Sequence, residues 1–496
     1  MQKKDSSQTG SLFYDGNNSN YFVNQIMNTL HNPPDLVIRM FTLSPELQGF
    51  CVFIKTLVDK NKIEHELLHF LTEECYPSES DKIISSLQSR IPFSSISETT
   101  DLNHCVQSLL SGVCLLIISN TSQVLLLDAS KTTHRNVSEP LIESTVRGPQ
   151  EGFTEDIAIN LSLLRKRIKT VHFRIEQFTI GMETETKVSL LYLVNLAPIA
   201  LVDEFRKRVC AIQIDSVLDS AYVEEWIQDK TLSPFSTLLN TERPDILASH
   251  LLEGRVGMLV DGSPNALVGP VTFFQFFIAP EDYYQRADIA TLLRCLRFLS
   301  FILATFVPAF YIAIVSYNQE LLPHTLLISI SAQREGVPFP AFIEAIIMMV
   351  TFEVLREAGL RMPRIAGQAI SIVGALVLGQ AAVSAGLVSA AMVIVVAITA
   401  ISNFVSPSYS FGIAQRTLQF FYMVLAGFMG LFGVLCGVLF TIVHLASIKS
   451  FDVPYLSPVA PTFFSDWKDI LVRVPRPWMK TYPQMNKSKR RQRGSS

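Results

Sequence analysis

One stretch without charge decides the fold of this chain: residues 365–415, IAGQAISIVGALVLGQAAVSAGLVSAAMVIVVAITAISNFVSPSYSFGIAQ, contain no Asp, Glu, Lys, Arg or His. The wider region from Thr291 to Ser447 contains no Lys and no Asp. A soluble domain of this size needs charged side chains over its surface, whereas a helix surrounded by lipid excludes them. The sequence therefore predicts a membrane region that follows 290 residues of ordinary soluble composition.

Charge is distributed unevenly along the chain. Residues 1–290 carry 24 Lys and Arg against 36 Asp and Glu, whereas residues 449–496 carry 10 basic side chains against 3 acidic ones. An acidic head argues against nucleic acid as a partner, and a basic tail suits the cytoplasmic face of a membrane. The first 20 residues lack the apolar core of a signal peptide, so we expect the head to stay in the cytoplasm.

The pattern ahead of the membrane region alternates between short apolar runs and amphipathic segments. Two apolar runs within 112–130 are joined by Asn120-Thr121-Ser122, and two more flank a turn at 181–185, which predicts two hairpins. The predicted fold is an α/β cytoplasmic N-terminal region of two small subdomains followed by an all-α polytopic membrane domain. The predicted divisions are a polar lead-in at 1–35, α/β subdomains at 36–135 and 136–285, a transmembrane domain of four to five spans at 286–448, and a basic tail at 449–496.

The membrane region contains three clear apolar runs and one weaker run. Residues 298–317 suit one span, and 365–407 suit two spans with a turn at Ser384-Ala385-Gly386. Residues 418–445 form the third run, which as one helix would measure about 42 Å and overshoot the hydrocarbon core unless tilted. The weaker run at 341–355 contains two glutamates, and it fits a polar-faced span, a re-entrant segment or an interfacial helix. If head and tail share a side, the number of spans is even.

Polar groups in this region are the candidates for a pore or gate. Glu344 and Glu353 are costly in lipid unless they are paired or face water, and Arg356 is near enough in sequence to pair with them. They suit an ion path, or alternatively an interfacial helix with both acids in water. Neutral side chains within the uncharged run could line a cation path or join helices to one another. The candidates of this second kind are Gln368, Gln380, Ser384 and Asn403.

Glycines recur in the last apolar run at Gly427, Gly430, Gly433 and Gly437. On one continuous helix they would fall within a single sector of about 120°, which lets a neighbouring helix approach closely. Packing within the chain and packing between subunits of an oligomer both remain open.

The segment His65-Glu66-Leu67-Leu68-His69 matches HExxH, the helix motif of zinc proteases. No third ligand follows at helical spacing, and the same residues suit an amphipathic helix over 62–74 with its leucines turned inward. The seven cysteines are scattered without a CxxC pair, and the chain has no Walker A loop, no GxGxxG on a βα turn and no GxSxG elbow. We therefore expect no enzyme activity, no metal and no cofactor.

Several long motifs resemble the GerA family of bacterial spore germination proteins. The most specific is SEPLIESTVRGPQEGFTEDIAINLSLLRKRIK at 138–169. Others cover most of residues 40–480. They are SPF at 233–235, NTERPD at 240–245, EDYY at 281–284, RCLRF at 294–298, ISAQREGVPFP at 330–340, LREAGLRMP at 355–363, GQAAV at 379–383 and PYLSP at 454–458.

The resemblance implies the A subunit of a nutrient germinant receptor in the inner membrane of an endospore. Such a subunit is expected to form an oligomeric, ligand-gated cation channel. Its expected partners are further copies of itself, membrane lipid, a transporter-like B subunit that binds nutrient, and a C-subunit lipoprotein. HExxH is not part of the family pattern. A non-conducting receptor scaffold and the family's paralogue associated with dipicolinate release remain alternatives.

Overall fold

The structure is a computed structural model that describes residues 19–44, 47–68, 95–121, 123–130, 147–229, 231–362 and 379–484, with isolated positions between 14 and 145 and between 488 and 492. Two α/β units come first, and a helical region and a tail follow. The predicted order, an α/β region of two subdomains and then a helical domain, is confirmed. The predicted residue boundaries of these parts stay predictions.

The first α/β unit is a five-stranded antiparallel sheet with strand order β1-β2-β4-β5-β3. The central strands are apolar along nearly their whole length, so both faces of the sheet need cover. One face packs on two helices through residues such as Ile26 and Leu109, and the other packs on a short π-helix through Ile63 and Leu67. The elements are β1 (Leu36–Ser44), β2 (Leu47–Ile54), β3 (Ile96–Thr99), β4 (Val113–Ile118), β5 (Val124–Asp128), α1 (Ser19–Leu30), α2 (Leu102–Leu110) and the π-helix Lys62–Leu68.

The second α/β unit repeats this plan with strand order β6-β7-β9-β10-β8, again antiparallel. Helices α4 and α5 cover one face, and α3 and α6 cover the other. The hairpin predicted around 181–185 is β6-β7, and the one predicted around Asn120 is β4-β5. The elements are α3 (Ile157–Arg167), β6 (Phe173–Ile180), β7 (Thr186–Leu193), α4 (Ile199–Cys210), α5 (Ser220–Ile227), β8 (Leu239–Thr241), α6 (Pro244–Leu251), β9 (Val256–Val260) and β10 (Ala266–Gly269).

The helical region begins directly after the second unit. Two of its described helices are long and apolar enough to cross a membrane, Ala287–Ser316 and Tyr409–Ser447, and Ala390–Phe404 is a shorter apolar helix. Residues 363–378, which include most of one predicted span, lie outside the described residues. The elements are α7 (Ala287–Ser316), α8 (His324–Arg334), α9 (Ala341–Arg361), α10 (Ala390–Phe404) and α11 (Tyr409–Ser447).

Helix α11 is two antiparallel arms rather than one helix. Gly430 has φ 59° and ψ −143°, outside the helical region. Tyr422 Oη donates to Thr441 Oγ1 at 2.8 Å, although 19 residues of continuous helix would separate them by about 28 Å. The single span predicted over 418–445 is therefore wrong, because the chain reverses at Gly430. The arms, 409–429 and 431–447, measure about 32 and 26 Å, and each is close to the thickness of a bilayer core.

The weaker apolar run at 341–355 is a helix packed along the bundle. At its start Phe342 covers Gly427 beside the turn of the hairpin, and further along Gln419 Nε2 lies 3.4 Å from Met349 Sδ. Helix α9 therefore runs antiparallel to the first arm of α11. Glu344 is fully buried. The alternative of an interfacial helix with both acids in water is wrong, because bundle neighbours enclose the first of these acids.

Chain direction places both ends of the helical region beside the head. Helix α7 starts at the second α/β unit and ends where Tyr317 Oη donates to the carbonyl of Gly427, next to the hairpin turn. The second arm of α11 then returns, and Ser450 Oγ donates to the carbonyl of Thr237 at 2.7 Å. The ring of Phe451 stacks on Phe205 in the second unit. The tail thus lies on the same side as the head.

A buried ion pair joins the two α/β units. Both carboxylate oxygens of Asp35, before β1, accept from Arg165 in α3 at 2.7 Å, and Thr56 Oγ1 also donates to Asp35. Both charged side chains are almost wholly enclosed. Removing one member of such a pair leaves an uncompensated buried charge.

We expect Asp35→Asn to lower the free energy of unfolding of the head by about 3–5 kcal/mol. The measurement is denaturant unfolding of the full chain in detergent, followed by circular dichroism. The matched control is Glu151→Gln, which breaks the exposed Arg167–Glu151 pair and should cost less than about 1 kcal/mol. Equal losses in both variants would contradict the role of the buried pair.

The hairpin is tested by a distance measurement between its arms. The rings of Phe421 and Phe440 lie 5.8 Å apart, centroid to centroid. Nitroxide labels on Phe421→Cys and Phe440→Cys, in a chain without other reactive cysteines, should show strong dipolar broadening. One straight helix would instead hold the two positions about 28 Å apart and leave the spectrum unbroadened.

Candidate functional site

Glu344 is the centre of a polar junction inside the helical bundle. Its Oε1 accepts from the backbone N–H of Ser389 at 2.7 Å and from the Ser389 hydroxyl at 2.6 Å. Ser389 is the N-cap residue of α10, so the carboxylate lies at the positive end of a helix. Tyr311 Oη lies 3.2 Å from Ser389 Oγ, and Arg334 Nε lies 3.8 Å from Glu344 Oε2. The junction thus connects α7, α8, α9 and α10.

Glu353 lies on the same helix in a different setting. Its carboxylate pairs with Arg356 one turn later, and the two side chains are 21% and 17% exposed. Glu353 Oε1, Arg356 Nε and Arg356 Nη1 are buried atoms without a protein hydrogen-bond partner. Both glutamates are therefore only partly satisfied within one chain, since Glu344 Oε2 also lacks a hydrogen-bond partner.

Neutral polar side chains form a separate group between α10 and the first arm of α11. Gln415 Nε2 donates to Asn403 Oδ1 at 2.8 Å, and Asn403 Nδ2 lies 3.5 Å from Gln419 Oε1. Amides paired across helices suit the joining role as well as they suit a path. Of the other predicted residues, Gln380 and Ser384 are exposed and separate from this group, and Gln368 lies outside the described residues.

The four predicted packing glycines do not form one stripe, because the chain reverses at Gly430. Each is covered by a neighbour in the same chain: Gly427 by Phe342, Gly430 by Tyr317, Gly433 by Leu425 and Gly437 by Tyr422. A methyl group at Gly430 would meet the Tyr317 side chain and would also require a left-handed conformation. The packing of these glycines that the structure describes is intramolecular, and a role in oligomer packing stays a prediction.

The residues of the HExxH segment that the structure describes do not form a metal site. Lys62–Leu68 is a π-helix in which Ile63 and Leu67 are buried while His65 and Glu66 are exposed. His69 lies outside the described residues. No group of three or more potential metal ligands occurs in the part of the chain that the structure describes.

A network of buried charges at the base of the head was missed by the sequence analysis. Asp282 Oδ2 accepts from Arg294 Nε at 2.9 Å, and its two oxygens accept from Arg297 Nη1 at 2.8 and 2.9 Å. Arg294 Nη1 also donates to Asp469 Oδ1 at 2.8 Å, and Tyr283 Oη donates to Asp469 Oδ2 at 2.7 Å. Arg294 and Asp282 are completely buried. The available signal was the pair of arginines at the entry of an apolar helix, which need acidic partners.

A cavity of about 380 Å³ lies beside this network, between the second α/β unit and the tail. Its lining includes Glu143, His250, Arg255 and Tyr283. Burial, together with the nearby Arg255 guanidinium, holds the pKa of His250 well below its usual value, so this imidazole is neutral. Burial and then the Asp469 carboxylate raise the pKa of Tyr283. Most of the accessible wall of the cavity is apolar, although many of its lining residues are polar or charged.

Glu143 lines the same cavity, and its carboxyl group has a raised pKa. Burial raises its pKa from 4.5 to about 7, although the Thr241 hydroxyl and the backbone N–H of Glu242 donate to its carboxylate and oppose this shift. The folded head therefore holds this proton up to about pH 7, while the unfolded chain releases it near pH 4.5. The folded state binds more protons in this window, so stability falls as the pH rises through it and stays level above it.

We expect Glu143→Gln to remove this pH dependence. The wild-type free energy of unfolding should fall between about pH 5 and about pH 8 by about 2–3 kcal/mol more than that of the variant. Denaturant unfolding of both full chains at the two pH values measures the difference. An equal fall in both would contradict the raised pKa of Glu143.

Comparisons with known proteins agree with the motifs. Residues 24–485 match the family model described as Bacillus/Clostridium GerA spore germination protein. Spore germination protein KA of Bacillus subtilis is 41% identical over 89% of this chain and 81% of its own length. The uncharacterized membrane protein YfkQ of Bacillus subtilis is 42% identical over 89% of this chain and 86% of its own length.

The other similar proteins include a solved structure. Spore germination protein GerLA of Bacillus cereus is 37% identical over 94% of this chain and 95% of its own length. The N-terminal domain of the A subunit of the Bacillus megaterium spore germinant receptor GerK3 is 33% identical, with a TM-score of 0.42, and covers 54% of this chain and all of that chain. The family match and the full-length relatives confirm the resemblance, and the chain belongs to the GerA family of spore germination proteins.

Proposed function

We propose that this chain is the A subunit of a spore nutrient germinant receptor and forms an oligomeric, ligand-gated cation channel in the spore inner membrane. The observation that carries the proposal is the family match over nearly the whole chain, residues 24–485. We place the head and the tail on the cytoplasmic side, because both lie at the same end of the helices and the tail is basic. A transporter-like B subunit, which binds nutrient, and a C-subunit lipoprotein complete the receptor.

The two glutamates would have different tasks in such a channel. Glu344 is fully enclosed within one chain and caps α10, so we assign it to positioning α10 rather than to a ring of charge. Glu353 is 21% exposed, so its side chain reaches the surface of the chain, whereas that of Glu344 does not. Copies of Glu353 around an axis would give a ring of carboxylates, which favours cations over anions. Arg356 would modulate that ring as its partner.

Two further readings compete with the channel. In the first, the chain is a non-conducting scaffold whose head recruits partners while the B subunit carries out transport. In the second, it is the family's paralogue associated with dipicolinate release. The motifs that place the chain in the family do not separate these readings. A catalytic role has no support in either, and we propose that the chain is not an enzyme.

Electrical recording separates the channel from the scaffold. The purified chain, reconstituted in a bilayer alone and with its B and C partners, should carry a current of monovalent cations. Glu353→Gln should lower the preference for cations over anions several-fold. The matched control is Glu357→Gln, one turn later, which is also paired with an arginine but more than half exposed. Its selectivity should match the wild type.

The opposite results have clear meanings. No current under any condition, together with a monomer in detergent, would support the scaffold and exclude the channel. A current whose ion preference is the same in Glu353→Gln as in Glu357→Gln would contradict the ring of carboxylates.

We expect Ser389→Ala to alter gating in the same direction as Glu344→Gln, since both changes weaken the cap of α10.

A further inference from the structure

All three tryptophans of the chain are exposed. Trp226, Trp467 and Trp478 are 51%, 46% and 68% exposed. Tryptophan is a large apolar side chain that soluble domains bury for the most part. Three exposed tryptophans in one chain therefore indicate a surface that contacts a partner or a membrane.

The first exposed patch lies on α5 and the loop after it. Tyr222 and Trp226 are exposed one turn apart on α5, and Leu218, just before the helix, is exposed as well. Leu232, in the next loop, is 100% exposed. A single exposed leucine is ordinary, but exposed apolar side chains grouped on one part of the surface suit contact with a partner or a membrane.

The first patch lies level with the end of a membrane helix. Ser233 Oγ, next to Leu232, lies 2.9 Å from His444 Nε2 in the last turn of α11. Val443, which precedes His444, is exposed and apolar. Other apolar side chains of this second arm are exposed as well. Leu232 is therefore at the depth at which the apolar surface of the second arm ends.

The second patch is in the tail. Phe464 and Trp467 are exposed, with ring centroids 6.1 Å apart. Asp469, two residues later, accepts from Arg294 in α7, and the backbone N–H of Arg473 donates to Thr291 Oγ1 at 3.0 Å. These contacts hold the patch beside the first turns of α7. It too lies where an apolar helix leaves the head.

The third tryptophan, Trp478, lies close to the base of the head, because the guanidinium of Arg476 lies over the ring of Tyr283. We propose that Trp226, Leu232, Phe464, Trp467 and Trp478 form a collar that is immersed in the interface of the membrane that the helices span. Tryptophan prefers this layer because its ring is apolar and its N–H is polar. Each patch lies beside the head-side end of an apolar helix. The tail also carries a large excess of basic residues, which suits anionic lipid headgroups. The collar rests on the proposed membrane insertion of α7 and α11.

Fluorescence quenching tests the collar in the full chain. Vesicles of phosphatidylcholine and phosphatidylglycerol carry bromine near the headgroup end of the acyl chains. Trp467→Phe with Trp478→Phe leaves Trp226 as the reporter, and Trp226→Phe with Trp467→Phe leaves Trp478. We expect these brominated lipids to lower the emission of each reporter about twofold, because each indole lies in the interface.

A reporter in the first α/β unit provides the control. Tyr21 is exposed on α1, which packs on the sheet of the first α/β unit and on α2. Tyr21→Trp in a chain with all three native tryptophans replaced by Phe should show no quenching. If the Trp226 and Trp478 reporters are quenched no more than this control, the collar is wrong.

A second variant separates the collar from the membrane spans. Leu232→Asp should reduce quenching of Trp226 and leave that of Trp478 unchanged, because only the first patch is altered. Flotation of each variant with the vesicles reports insertion of the helices independently. Failure to float would overturn the proposed spans, whereas flotation without quenching would overturn the collar alone. Quenching of Trp226 that is unchanged by Leu232→Asp would exclude Leu232 from the collar.

Discussion

Asp282 and Arg294 form the contact on which the rest of this molecule depends. Both side chains are completely buried, and an isolated charge in such a place costs several kcal/mol. Arg294 reaches a second acid, Asp469, and Asp282 reaches a second arginine, Arg297. The segment that ends the head, the first helix and the tail are thereby held together. None of the three can move alone without leaving a charge unpaired.

The position of the first helix in turn organises the bundle. Helix α7 is followed by Tyr317, whose side chain lies against Gly430 at the hairpin turn. Its Tyr311 reaches the Ser389 hydroxyl, which the Glu344 carboxylate also binds. The helix therefore contacts both the hairpin and the polar junction. Several of the few polar groups in the bundle join different helices, as Ser389 and Asn403 do, and these contacts limit how neighbouring helices can slide.

Local patterns predicted much of this fold from the sequence. Alternating apolar runs and short turns predicted the β4-β5 and β6-β7 hairpins, because both signals lie within a few residues of each other. Absence of charge predicted the helical region. The reversal at Gly430 was missed because regularly spaced glycines fit helix packing as well as they fit a turn. Burial of Glu344 depends on Ser389, 45 residues later, and Arg294 on Asp469, 175 residues later, so no local pattern contains either contact.

The tail that returns to the first helix also fixes an order of assembly. During synthesis, residues 287–316 leave the ribosome long before Asp469 does, so Arg294 and Arg297 at first share the single acid Asp282. The two arms of α11 must be in place before residue 469 can reach this site from the same side of the membrane. Charge balance at the base of the head is thus completed last. A chain that stops short of the tail keeps an arginine without its second acid, a defect that a protease or chaperone can recognise.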